Sequence, residues 1–356
     1  MDELRSILRA HRKRYPLLEP VDLVKLIYQN EFGNGHFIQD ESASLARLKQ
    51  EVSQLRSSGS QLFEPIGNGL DRLHLGALGD TLPLETVHRF FVVTAAVPRG
   101  SVRGFEQKLE VLRELCPDDS LDSFLAGYQQ AGYPLISHST RYKEEYAPSY
   151  RVVRSDFALY YPIFKAVEEL LRQTERITVA IDGPSGSGKS SLGQRLHDVY
   201  GCPVIAMDHF FLRPEQRTEK RLEAPGGNID HERFQAEVLE KLRGGRPFSY
   251  RVYDCQRDEL TRTHTISPHQ LTVVEGCYSH HPAFVGDHDL RVFLKVSPNL
   301  QRSRLLQRNG PAMLKRFLQE WIPLEERYFA AFDIPGHSQI VLDTGANGWD
   351  GPKGVS

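Results

Sequence analysis

Eight consecutive residues, Gly183-Pro-Ser185-Gly186-Ser187-Gly188-Lys189-Ser190, constrain this chain more than any other segment. They fit the pattern G-x-x-x-x-G-K-[ST] in full. Glycines at 183, 186 and 188 permit a tight turn whose backbone N–H groups point inward at an anion. The run Ile177-Thr-Val-Ala-Ile181 enters the turn with the texture of a buried strand. Leu192, Leu196 and Val199 give residues 191–200 one apolar helical face. The start of such a helix adds partial positive charge aimed at the same anion. Strand, glycine turn and helix in that order form a phosphate-binding loop. Lys189 is placed to reach the β- and γ-phosphates of a nucleoside triphosphate, and the Ser190 hydroxyl to ligate Mg²⁺. Ser185, Ser187 and Ser191 complete the candidate cofactor site, which is read as a site for ATP.

The residues after 176 repeat this texture. Pro203-Val-Ile-Ala-Met207, Leu271-Thr-Val-Val274, Leu290-Arg-Val-Phe-Leu294 and Gln339-Ile-Val-Leu342 read as four more strands. Helical patterns lie between them, as at Phe234, Val238 and Leu242 and at Leu314, Phe317, Leu318 and Trp321. Alternating strands and helices imply a parallel sheet covered on both faces. Residues 173–345 are therefore expected to form an α/β domain of the P-loop NTPase fold, followed by a loose glycine-containing tail at 346–356.

Three features reach past nucleotide binding. Asp208 ends the second strand, where a carboxylate faces the phosphates and can take a proton from a substrate hydroxyl. Its alternative role is a turn or helix cap. Glu275 follows the third strand and can hold Mg²⁺ directly or through water. An Asp-Glu pair of the usual ATPase kind is absent there, as is an Asn-Lys-x-Asp guanine-reading motif. Arg304 and Arg308 are four apart, hence on one helix face, and are candidates to close over the γ-phosphate. A solvated basic face is the other reading.

Taken together, these segments resemble the uridine kinase and phosphoribulokinase family of P-loop kinases over roughly residues 176–343. Met207-Asp208-His-Phe-Phe resembles that family's Asp-Ser-Phe-Tyr segment, whose Asp serves as base near Mg²⁺. Gly227-Asn-Ile-Asp230-His231 is similar to its Phe-Asp-His-Pro segment, whose Asp holds ribose hydroxyls. Tyr253-Asp254 resembles the Tyr-Asp pair near the nucleobase, Glu275-Gly276 the Glu-Gly, and Arg304…Arg308-Asn309 the Arg…Arg-Asp lid. The resemblance implies in-line transfer of the γ-phosphoryl group of ATP to a hydroxyl of a small metabolite. Lys189, Asp208, Arg304 and Arg308 would be catalytic. Ser190, Asp208 and Glu275 would hold the metal, and Asp208, Asp230, Tyr253, Asp254 and Tyr278 the acceptor. The chain departs from the family at Asp258-Glu259-Leu260, where a base-contacting His-Ser-Arg is expected, and at Asn309 in place of the lid Asp. A nucleoside-like acceptor is the first reading; a sugar or vitamin precursor, and a regulatory ATP-binding switch, stay open. Tyr278-Ser-His280-His281-Pro282 reads as a substrate contact or as a rigid loop.

Residues 1–172 match no family pattern. Leu4, Ile7, Leu8 and His11 recur at helical spacing. So do Leu45, Leu48, Val52 and Leu55; Val102, Phe105, Leu109 and Leu112; and Leu121, Phe124, Leu125 and Tyr128. Ser57-Ser-Gly-Ser60 is read as a helix end, and Pro117-Asp-Asp-Ser120 as a break that caps the next helix. No strand alternation is read here, so the expectation is a mainly α-helical domain. Residues 156–173 read as a helix joining it to the next. Two Gly-Asn-Gly triplets, at 33–35 and 67–69, are too little for a repeat. Polar clusters at 31–36, 66–74 and 138–151 read as turns or, more sharply, as a second site in which Arg141 and Arg151 hold an anion. Their histidines lack tight metal-ligand spacing.

The net charge of −2 gives no basic field to attract nucleic acid or an anionic membrane. Four scattered cysteines, the lack of a signal-like leader and the lack of a long apolar run favour a reduced, cytoplasmic protein. The expected partner is a small-molecule acceptor; a homo-oligomer is left open.

Overall fold

The structure, a computed structural model, describes residues 1–33, 38, 40–55, 61–117 and 119–345. The helix end at 57–60, Asp118, most of the 33–35 triplet and the 346–356 tail lie outside the described residues. The chain divides into two compact units, Met1–Leu159 and Tyr160–Ser356. The division falls inside the helix Ser155–Leu171, which the sequence marks as the joining helix.

The first unit is mainly helical. The four periodic segments form the helices Asp2–Arg14, Glu41–Gln54, Val102–Leu115 and Asp119–Gln130. Asp2 and Glu3 begin the first helix and His11 to Arg14 end it, matching charge to the helix dipole. Three further helices, Pro20–Phe32, Leu84–Ala95 and Thr140–Tyr146, complete the set used below. Leu4, Leu8, Leu23, Ile27, Phe105 and Leu112 meet in one apolar core.

The expectation of no strands here is corrected. β1 (Phe63–Gly67), β2 (Leu70–His74) and β3 (Tyr150–Arg154) form an antiparallel sheet with β2 central. The second glycine triplet is the turn between β1 and β2, with φ of 79°, 55° and 69° at Gly67, Asn68 and Gly69. β2 escapes a pattern search because both its faces are buried, and buried there are the charges of Asp71 and Arg72.

The second unit holds the expected sheet. Its strands are β4 (Ile177–Asp182), β5 (Val204–Ala206), β8 (Leu271–Glu275), β9 (Leu290–Lys295) and β10 (Ile340–Asp343). All neighbours are parallel, in the order β10-β9-β4-β8-β5. The inner strands β4, β8 and β9 are continuous apolar runs because both their faces are covered. Between β5 and β8 in the chain lies an antiparallel hairpin, β6 (Phe248–Asp254) and β7 (Glu259–Ile266). Tyr250 and Val252 of β6 and Ile266 of β7 turn inward onto a core shared with Met207, Phe210 and Phe234. Among the described residues no helix is long and apolar enough to cross a membrane, and the four cysteines are unpaired.

Candidate active site

Strand register alone gathers the site. Glu275, the last residue of β8, stands opposite Ile181 on β4 and Ala206 on β5. Two residues beyond those partners come Gly183 and Asp208. The glycine turn, Glu275 and Asp208 therefore share the C-terminal edge of the sheet, where ligands of open α/β folds bind.

The turn has the required shape. Gly183 has φ 143°, and a side chain there would meet the Leu294 carbonyl at 2.4 Å. Gly188 stands at the N-cap of the helix Lys189–Tyr200 with φ 98° and no side-chain cap. Without such a cap, the first amides of the helix keep their N–H groups for a ligand. Lys189 folds along the turn, its Nζ donating to the carbonyls of Gly183 (2.7 Å) and Pro184 (3.1 Å). Ser187 is buried and its hydroxyl has no partner among the described residues. Ser191 is half-buried in the first helical turn.

Ser190 is exposed and donates from Oγ to Glu275 Oε1 at 3.1 Å. Burial pushes the Glu275 carboxyl above its usual range; Lys189 pulls it down and Asp208 pushes it up further. Gly276, which follows Glu275, lets the ends of β8 and β5 lie close together. Gly276 has φ 139°, and a Cβ there would stand 2.7 Å from the Met207 Cβ.

Several groups that the sequence reading missed brace the turn. Asp182 is fully buried and accepts from the N–H groups of Gly183, Tyr278 and His280 and from the Tyr328 hydroxyl, at 2.7, 3.2, 3.0 and 2.9 Å. Burial pushes its carboxyl up to about 6 against these donors. Glu325 takes both the N–H (2.9 Å) and the hydroxyl (2.5 Å) of Ser185. Burial raises the Glu325 carboxyl as well, against the pull of Lys189. Glu325 and Tyr328 are three apart on the helix Ile322–Phe332, so one helix face holds both Asp182 at the entry to the turn and Ser185 in its first half. Gln301 donates to the Ser185 carbonyl at 2.9 Å. Asp182 carried a signal, being adjacent to Gly183; Glu325 and Gln301, more than 100 residues away, carried none.

The two arginines divide. Arg304 donates to the Gly186 carbonyl (3.2 Å) and to the hydroxyl and carbonyl of Thr344 (both 3.0 Å). In this structure it braces the turn instead of hanging free above it. Arg308 is exposed, donates to Asn309 Oδ1 at 2.8 Å and lies near enough to lower the Glu275 carboxyl. The helix Pro298–Arg316 that carries both breaks just beyond them, at Gly310 with φ 76° and ψ 173°.

Of the residues expected to hold an acceptor, Asp208 is exposed in the turn after β5. With Tyr253 and Asp254 it lines a cavity of about 520 Å³. Tyr253 is buried and its hydroxyl is engaged, donating to Asp258 Oδ1 and accepting from Arg217, both at 2.6 Å. Asp254 accepts from Gln256 N–H and closes the hairpin turn. Asp230 is buried; its Oδ1 caps the helix His231–Phe234, and its Oδ2, 3.5 Å from Arg233 Nε, has no hydrogen-bond partner among the described residues. Arg233 in turn donates to the carbonyls of His209 and Arg251, tying the Asp208 turn to the hairpin. Tyr278 is buried with φ 77°, held by its N–H on Asp182. Its segment is a pinned loop, with His280 fixed in the same way. A second cavity, of about 370 Å³, opens at the opposite end of β4, among the charges of Arg176, Arg243, Asp287 and Asp289. It has no phosphate loop.

The oxygen donors at the sheet edge, a hydroxyl and two carboxylates, suit Mg²⁺. Among the described residues no three His, Cys, Asp or Glu converge tightly enough to hold a metal on their own.

This fold and edge define a P-loop nucleotide-binding unit. The sequence model of the Phosphoribulokinase / Uridine kinase family matches residues 178–312, so the second unit carries the pattern of that kinase family. Among solved structures, a possible uridine kinase from Bacillus stearothermophilus is 18% identical, covering 51% of this chain and 100% of its own, with a TM-score of 0.39. Shikimate kinase from Acinetobacter baumannii, in complex with shikimate, is 15% identical, covering 51% of this chain and 90% of its own, with a TM-score of 0.28. None of the curated proteins matches the sequence.

Proposed function

We propose that residues 173–345 are an ATP-dependent kinase domain that transfers the γ-phosphoryl group to a hydroxyl of a small, nucleoside-like metabolite in the cytoplasm. The observation that carries this is the 3.1 Å contact between Ser190 and Glu275, with Asp208 at the neighbouring strand end. Triphosphate seats on the free amides of the turn. Lys189 exchanges its two carbonyl partners for β- and γ-phosphate oxygens. Asp208 takes the acceptor's hydroxyl proton as that oxygen attacks the γ-phosphorus; the bond from γ-phosphorus to the β–γ bridging oxygen breaks, and ADP leaves. Ser190, Glu275 and Asp208 would hold Mg²⁺, which supplies charge neutralisation across the β- and γ-phosphates. Arg308 covers the transferring group, while Arg304 keeps the turn in shape. Positioning and electrostatics supply most of the acceleration, because the transition state is loose. Asp230, Tyr253, Asp254 and Tyr278 surround the acceptor side.

A non-nucleoside acceptor is favoured by one observation. The Tyr253 hydroxyl is occupied by Asp258 and Arg217, and Asp258 stands where the family's base-reading histidine is expected. ADP release measured over nucleosides, sugars and vitamin precursors decides between the two. The proposal expects turnover with at least one class. Tight ATP binding without turnover on any of them would support the regulatory-switch reading in its place.

A further inference from the structure

The first unit contains a polar cluster of unusual cost. Arg72 is fully buried, with its guanidinium on Gln29 Oε1 at 2.8 Å and within 3.7 Å of Glu64. Glu64 is also buried, and His11 (3.3 Å) and His74 (3.1 Å) approach its two carboxylate oxygens. Beside them Asp22, fully buried, accepts from His138 Nδ1 at 2.9 Å. His138 Nε2 is then the acceptor for the Tyr150 hydroxyl, at 2.7 Å. Buried ions of this kind add little net stability compared with an apolar core of the same shape. What these ions do is fix ring orientations. Tyr150 is held at its hydroxyl by His138 while Arg72 lies 4.6 Å from its ring centre. His74 is held through Nε2, and the Tyr15 hydroxyl reaches toward Glu64 at 3.5 Å. Tyr142 stacks on His138 at 4.2 Å.

Tyr15, His74, Tyr142 and Tyr150 also line one cavity of about 250 Å³, together with Arg14, Tyr146 and others. Tyr15, Tyr142 and Tyr146 pack mutually at 4.9 to 5.3 Å between ring centres, so the wall is rigid. A preformed cavity backed by buried, mutually perturbing titratable groups is the usual signature of a binding site. Its chemistry selects the ligand. Tyrosine rings offer faces for stacking. The tyrosine hydroxyls are already engaged, by Glu64, His138, the Leu17 N–H and one another, so the hydrogen bond at the edge comes from His74, which Glu64 holds only at Nε2. The volume falls below the roughly 300–1,000 Å³ common for drug-sized ligands. A phosphorylated ligand fits poorly. Arg72 is sealed behind the wall, Arg14 is the one Arg or Lys among the described lining residues, with N–H groups to spare at the rim beyond the one given to Gln61, and the Glu64 carboxylate lies directly behind His74. Arg151, an anion-site candidate from the sequence, is engaged by Glu51 at 2.7 Å, and Arg141 is exposed on its helix.

We propose that this cavity is a second small-molecule site, built for an uncharged, planar, hydrogen-bonding heterocycle of the size of a nucleobase or nucleoside. Titration calorimetry of the full chain against adenine, uracil, adenosine and uridine tests it. At least one should bind with a sub-millimolar Kd. Binding should persist in Asp208→Asn and weaken about tenfold or more in His74→Gln and in Arg14→Ala. Arg14 is exposed, so its removal leaves the fold intact even if His74→Gln does not. No binding at millimolar concentrations, or binding that both variants leave unchanged, would overturn the proposal.

Discussion

Glu325 shows how one side chain sets the character of a loop. A buried carboxylate beside a phosphate site is unfavourable for a tetra-anionic ligand, yet it satisfies two donors of Ser185 that would otherwise be left unpaired. The physical reading is that it fixes the near side of the turn and leaves the helix-start amides for phosphate. Glu325→Ala strands those donors at a cost of about 1–3 kcal/mol. The KM for ATP should then rise about tenfold or more, with kcat falling less. Steady-state kinetics check this, and an unchanged KM would remove the bracing role. Gly276 is a simpler case. Alanine there meets the Met207 Cβ at 2.7 Å in a backbone conformation that side chains rarely adopt. Gly276→Ala should destabilise the second unit by ~2 kcal/mol or more, read as a lower melting temperature; no change would mean that the two strand ends separate freely.

At the scale of elements, legibility followed burial chemistry. The three inner parallel strands stood out because apolar, β-branched runs fill both faces, the edge strands β5 and β10 by their short β-branched runs alone, and the phosphate turn because glycine and lysine are needed at fixed spacing. The hairpin β6–β7 was missed although Phe248, Tyr250 and Val252 alternate with Ser249 and Arg251, the ordinary signature of a one-faced strand. β2 was missed for a deeper reason: its buried residues include Asp71 and Arg72, which only tertiary partners such as Gln29 and Ser155 can satisfy. Arg304 and Arg308 were legible as one helix face, but not their division of labour, which depends on Thr344 and Gly186. The hairpin offers its own test. Arg217→Ala frees the Tyr253 hydroxyl from one of two partners. Arg217 is exposed, so its removal should leave the melting temperature close to that of the wild type. It should nonetheless shift the KM for the acceptor while leaving that for ATP in place. Equal shifts in both would detach Tyr253 from the acceptor side.

For the whole molecule, burial sets the response to acid. His138 in the first unit and His209, His280, His281 and His288 in the second are all held down to about 4, with burial the largest cause at each. The unfolded chain binds protons at these histidines near pH 6.5 while the folded chain does not, so folding stability is lost as pH falls from about 6.5 to 4. Asp182, raised to about 6, acts in the opposite sense, because its folded form takes up a proton in the window from 3.8 to about 6. Asp71, Glu275 and Glu325, also raised by burial, act with Asp182. Against these four carboxyls stand the five histidines at about 4 and three more that burial lowers, His11, His88 and His231, which leaves the histidines in control. The melting temperature should therefore drop between pH 7 and pH 5; a rise would show that protonated carboxyls dominate.

The central claim is chemical: triphosphate gripped at the end of β4 gives up its terminal phosphoryl group to an alcohol steered by Asp208. Transfer of label from γ-³²P-ATP to the acceptor found by the ADP screen tests it most directly. Wild type should form a labelled phosphate ester. Lys189→Ala should form almost none, and Asp208→Asn should be slower by about 10²–10⁴-fold while holding ATP nearly as well. Labelling by Lys189→Ala at the wild-type rate would contradict the account.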